Sequence, residues 1–135
     1  MKNILCLLLL FCTTAKCIAQ EISGRWYSAD STRIYEVTPS GNDQWKAVIL
    51  ASSRKNDKVG FEVARQIIFN KQKKRFEGYL YSTDNDEPAF VKISFDKTNI
   101  NEIKLKLDRM FLFDVTVKWL RANTAAAVKQ TSGTN

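Results

Sequence analysis

From residue 24 onward, apolar and polar side chains alternate with a period of two along most of the chain. This predicts a succession of short β-strands, and no segment shows the 3.6-residue repeat of a helix. The clearest case is Ile103, Leu105 and Leu107 against Glu102, Lys104 and Lys106, a half-buried strand. Before it, strands are predicted at Gly24–Ser28, Thr32–Thr38 (Tyr35 and Val37 on one face), Gln44–Ala51, Arg75–Ser82 and Ala89–Phe95. A longer one sets Val59, Phe61, Val63, Ile67 and Phe69 against Gly60, Glu62, Ala64, Gln66 and Asn70. Arg65 interrupts it, and a bulge or an exposed rim position accounts for that charge better than an inward guanidinium. The last strand sets Phe111, Phe113, Val115, Val117 and Trp119 against Leu112, Asp114, Thr116, Lys118 and Leu120. Polar turns separate the strands: Pro39–Asp43, Ser52–Asp57, Asn70–Lys74, the acidic Thr83–Pro88, Asp96–Asn99 and Asp108–Arg109.

Eight such strands with tight connections predict an all-β fold, an eight-stranded up-and-down antiparallel sheet. Closure into a barrel removes its exposed edges. A membrane-spanning barrel needs an apolar outer face and a polar lumen. The short strands and the row Glu102, Lys104, Lys106 favour the opposite arrangement, with the apolar face inside and the chain not membrane-spanning.

The two ends read differently. Lys2, the apolar run Ile4–Cys12 and the small residues Cys17 and Ala19 form a secretory signal peptide over residues 1–19, cut after Ala19. This places the mature protein in the periplasm or outside the cell. The barrel is expected over 20–122 and a small, polar tail over 123–135. All three cysteines, Cys6, Cys12 and Cys17, fall in the signal segment, so the mature fold is expected to stand without disulfides.

Histidine is absent from all 135 residues. No Ser-His-Asp triad, Cys-His pair or histidine metal ligand can be assembled, and acid–base chemistry would fall to carboxylates, Lys or Tyr. The expectation is a protein that is not an enzyme and carries no cofactor and no metal. Asp84–Glu87 lacks the glycine and distal glutamate of a calcium loop. The formal charge of +7 reads as solubilising, with an anionic surface or ligand as the alternative. The basic turn Lys71, Lys73, Lys74, Arg75 has no interleaved aromatics for stacking, so nucleic acid is not an expected partner.

Gly24-Arg25-Trp26 on the first strand and Trp119-Leu120-Arg121 on the last resemble the lipocalin, or wider calycin, pattern. Phe76-Glu77-Gly78-Tyr79-Leu80-Tyr81 is similar to a mid-chain stretch of secreted bacterial lipocalin-like barrels of unknown function. The resemblance covers Ile22 to Ala122. It implies that Gly24, Trp26, Trp119 and Arg121 are structural, with Trp26 plugging the closed end and Arg121 packed across its ring.

The bulky inward set leaves two alternatives open, a filled interior or a small apolar cavity. The carrier reading expects a small hydrophobic or amphipathic ligand near Tyr35, Phe61, Phe95, Phe111 and Phe113. The other reading is a protein-interaction or inhibitor module of the cell envelope, with Phe90, Leu112 and Leu120 as exposed apolar candidates. Connections 29–31, 52–58, 82–88 and 108–110 are expected at the open end, opposite Trp26.

Overall fold

The computed structural model describes residues 22–108 and 114–122, with the backbone alone at 85 and 86. Eight strands among the described residues close into one barrel in simple chain order. They are β1 (Gly24–Ser28), β2 (Arg33–Gly41), β3 (Gln44–Ser52), β4 (Glu62–Asn70), β5 (Arg75–Ser82), β6 (Asn85–Phe95), β7 (Glu102–Leu107) and β8 (Val115–Arg121). Every neighbouring pair is antiparallel, and β1 closes on β8. The fold is therefore the all-β, up-and-down barrel that the alternation predicts. No described helix is long and apolar enough to cross a membrane.

The inner face holds the core: Trp26, Tyr35, Val37, Trp45, Ala47, Ile49, Ile67, Phe76, Val91, Ile93, Ile103, Leu105 and Trp119 are all buried. Burying a large apolar side chain stabilises by about 1.5–3 kcal/mol against leaving it in water, so this face drives closure. The outer face carries cross-strand ion pairs, including Lys92–Asp108 at 2.7 Å, Lys106–Asp114 at 2.6 Å and Lys118–Glu102 at 3.2 Å.

Two elements depart from the sequence expectation. β2 runs on through Pro39 to Gly41, and the turn shrinks to Asn42 and Asp43, both left-handed (φ 49° and 55°). A two-residue hairpin turn that follows the strand twist needs such a pair, and Asn and Asp tolerate it. The acidic stretch 83–88 is no long loop. Ser82 pairs with Asn85, so β5 and β6 meet in a tight hairpin turning at Thr83 and Asp84.

In β4 two irregularities compensate. One extra residue opposite Ala47 and Val48 turns both Val63 and Ala64 toward the core. A second, with Gln66 at φ 53°, throws Arg65 outward and returns Ile67 to the core. Phe61, Val63, Ile67 and Phe69 thus keep the same face, as their odd spacing suggests, and Arg65 lies over the Tyr81 ring at 4.4 Å. Gly78 makes room for the second bulge. A Cβ there would meet the Ile67 backbone at 3.1 Å.

The start of β1 and the end of β8 share one end of the barrel with the β2–β3, β4–β5 and β6–β7 turns. The connections after β1, β3 and β5 gather with the end of β7 at the other end, called the mouth below.

Candidate functional site

The closed end is built around Trp26. Its indole Nε1 donates to the Ile22 carbonyl at 2.9 Å, and Phe95 tilts against the ring with centroids 6.3 Å apart. Arg121 lies over the Trp26 ring, its guanidinium 4.3 Å from the centroid, and donates from Nη1 to the Ser23 carbonyl at 3.3 Å. Gly24 stands beside it at φ +124°, where a Cβ would sit 3.4 Å from the Arg121 Nη1. Gly24, Trp26 and Arg121 thus form one unit. Trp119 sits one level higher and stacks on Tyr35, with centroids 4.1 Å apart and planes 19° from parallel. Ser28, the β1 ladder partner of Trp119, is small and lets the Trp119 ring reach Tyr35 across β1.

The mouth is organised by an ion pair. In β2, Arg33, Tyr35 and Val37 share the inner face, so a guanidinium enters the top of the barrel above the Tyr35–Trp119 stack. It donates from Nε and Nη2 to the two carboxylate oxygens of Asp57, on the β3–β4 connection. Ser52 Oγ donates to the same carboxylate at 2.6 Å. The Asp57 side chain is only 3 % exposed. The Arg33 pairing, opposed by burial and helped by Ser52, holds its carboxyl down to about 2. Asp57 in turn raises Arg33 above its already high value. Burial pushes the Tyr35 phenol up, and the neighbouring Arg33 opposes that shift.

A second, exposed pair crosses between the same two connections in the opposite sense. Arg54 on the β3–β4 side donates to Asp30 on the β1–β2 side. Asp30 also accepts from Ser28 Oγ and from the Thr32 backbone and hydroxyl, and these hydrogen bonds keep it well below the carboxylate range. Arg33 at the start of β2 and Asp30 just before it thus face Asp57 and Arg54 of the β3–β4 connection, and each of the two pairs is neutral in itself.

Beside the buried pair lies a cavity of about 120 Å³. Ile49, Phe61 and Val63 form its apolar wall; Arg33, Asp57 and the Tyr81–Thr83 corner form the polar one. Phe61 is held there by its carbonyl, which accepts from the Ile49 N–H at 3.0 Å. The cavity sits where β4 and β5 part, above their last ladder pair, Ala64 and Leu80.

The residues named from sequence as ligand neighbours do not gather in one place. Phe61 lines the mouth cavity, and Tyr35 lies beneath it under Trp119. Phe95 is at the closed end against Trp26, so it shares no pocket with Phe61. Phe111 and Phe113 lie outside the described residues, as do Leu112 and residues 1–19 and 123–135. Arg33 and Asp57 were not singled out by sequence. The legible signal was Arg33 itself, two residues before Tyr35 on an inward face, where a charge requires a partner. Among the described residues no group of three or more acidic, His or Cys side chains is placed to hold a metal ion.

No family model matches the chain, and no curated protein or solved structure matches it.

Proposed function

We propose that the chain is an exported, lipocalin-like barrel that binds a small apolar or amphipathic molecule at its mouth and does no chemistry on it. The observation that carries this reading is the exposure of Val115 and Val117, 39 % and 36 %. Their ladder partners Leu107 and Leu105 are buried on the inner face, so the two valines belong to the inner wall. That wall reaches solvent because β1 ends at Ser28 and its pairing with β8 stops at Trp119. Below this level Tyr35, Trp119, Trp45 and Phe76 fill the interior, so a ligand would sit in the mouth and not deep in the barrel.

Three further points support the reading. The charged outer and apolar inner faces are the reverse of a membrane-spanning barrel. The signal-like segment 1–19 agrees with export to the periplasm or beyond. The Arg33–Asp57 pair stays ionised at neutral pH and so recognises without exchanging protons.

Native mass spectrometry of the protein as exported by a bacterial host tests the proposal. A reproducible bound mass, lost on denaturation, is expected. The bare chain mass from every gentle preparation would overturn it. That result would favour the second reading, an envelope interaction module. Its support is an outer patch where Ile68 and Tyr79 are exposed and Phe90 packs edge-on against Tyr79.

A further inference from the structure

We infer that the mouth cavity selects an uncharged molecule of about the size of a substituted benzene ring, with one hydroxyl or amide for the Arg33–Asp57 pair and an apolar body for Ile49, Phe61 and Val63. This rests on the ligand-binding reading above and names the ligand class.

Size is the first constraint. At about 120 Å³ the pocket, open to solvent on one side, encloses only a small ring or branched group. The volume alone is comparable to the ~150 Å³ that takes up benzene in an enclosed apolar cavity, but here the lining is mixed and one side is open. The lining is the second. One wall is apolar and includes an aromatic ring, so a flat or branched hydrocarbon body is accommodated there.

Charge is the third and decides the class. Arg33 and Asp57 neutralise each other across two hydrogen bonds. An anionic ligand reaching Arg33 would meet the Asp57 carboxylate; a cationic one reaching Asp57 would meet the guanidinium. Either ion would lose its hydration without gaining a net opposite charge. A neutral hydroxyl or amide loses less, and the pair still offers it N–H donors and carboxylate lone pairs. The flanking Arg54–Asp30 pair is balanced as well. Lys55 and Lys58 are exposed on the β3–β4 connection and do not line the cavity.

The test uses three probes of matched size near neutral pH: p-cresol, benzoate and benzylammonium. Methyl NMR signals of Ile49 and Val63 report on the cavity directly. In the wild-type protein p-cresol is expected to shift both residues saturably, with at least tenfold tighter binding than either ion. Asp57→Asn leaves Arg33 uncompensated and is expected to turn the preference toward benzoate. Arg33→Gln leaves Asp57 uncompensated and is expected to turn it toward benzylammonium. If either variant fails to fold, the wild-type ranking decides alone.

Equal or tighter binding of an ion to the wild type overturns the inference, as does a p-cresol response that spares Ile49 and Val63. No saturable shift from any probe, with a bound mass still present in native spectra, overturns the ligand class and leaves the carrier reading standing. Loss of both overturns both.

Discussion

Arg121, the last residue of β8, lays its guanidinium over the ring of Trp26 in β1, 4.3 Å from the centroid. The two residues are also ladder partners, so one contact joins the first and last strands at the short seam that closes the barrel. The seam has three register pairs, fewer than any other strand pair, and side-chain contact there matters correspondingly more.

Arg121→Met keeps much of the apolar stem and removes the charge and its donors. It is expected to destabilise by about 1–2 kcal/mol, from the lost cation–π contact and the lost hydrogen bond to the Ser23 carbonyl. Arg121→Ala should cost more, because the indole face is then uncovered. Urea denaturation followed by tryptophan fluorescence measures both.

Gly24→Ala strains the same corner from the other side. Its φ of +124° is open to glycine and poorly open to any L side chain, and the new Cβ would press on Arg121. A loss of about 1–3 kcal/mol is expected. Gly41→Ala makes a useful contrast. It also has positive φ but has nothing within 4 Å of a built Cβ, so only the backbone strain should appear.

The acid limb of stability should carry the signature of Asp57. Its folded carboxyl is lowered from the ordinary 3.8 to about 2. The folded state therefore holds this group ionised where the unfolded chain begins to protonate it. The contribution is complete above about 3.8 and is lost as the pH falls toward and through about 2. Asp30, Asp96 and Glu77 are lowered in the same direction and add to the limb. Asp57→Asn is expected to lower stability at neutral pH by about 1–3 kcal/mol, because Arg33 loses its partner. It should also flatten the fall on acidification. Urea midpoints measured from neutral pH down to about pH 2 check both effects.

Tyr27 offers a substitution in the opposite direction. The residue is 9 % exposed, and its hydroxyl is buried with no hydrogen-bond partner among the described residues. An unsatisfied buried hydroxyl costs about 1–3 kcal/mol of desolvation, so Tyr27→Phe is expected to leave stability unchanged or raise it by up to about 1 kcal/mol. A clear destabilisation in thermal unfolding would show that the hydroxyl is in fact used.

Much of this architecture follows from local chemistry. In β7 the alternation of Ile103, Leu105 and Leu107 with charged residues allows only one face to be buried, and the strand obeys it. Polar turn residues at short intervals leave little but hairpins between strands, and an up-and-down order follows. The absence of histidine, and of cysteine after Cys17, restricts the available chemistry before any fold is known.

Other features depended on long-range contacts. β3 is apolar on both faces, with Trp45, Ala47 and Ile49 alternating with Val48 and Leu50, so alternation could not tell that Trp45 points inward against Phe76. In β4, Arg65 on an apolar face signalled a bulge or a rim position, but the other bulge and the exact site of this one appear only when its neighbours impose their registers, because a bulge is a mismatch between strands. Thr83–Pro88 looks like a loop by composition, yet pairing with β5 draws most of it into a strand. Arg33 and Asp57 lie 24 positions apart, and their meeting is set by where the β3–β4 connection returns over the mouth. The sequence by itself determined which faces are apolar, where the chain can turn and which reactions it cannot assemble, because these depend on side-chain chemistry at fixed local spacing. Only the tertiary structure decided register, bulges and the paired charges at the mouth, because each is a relation between segments that the sequence leaves far apart.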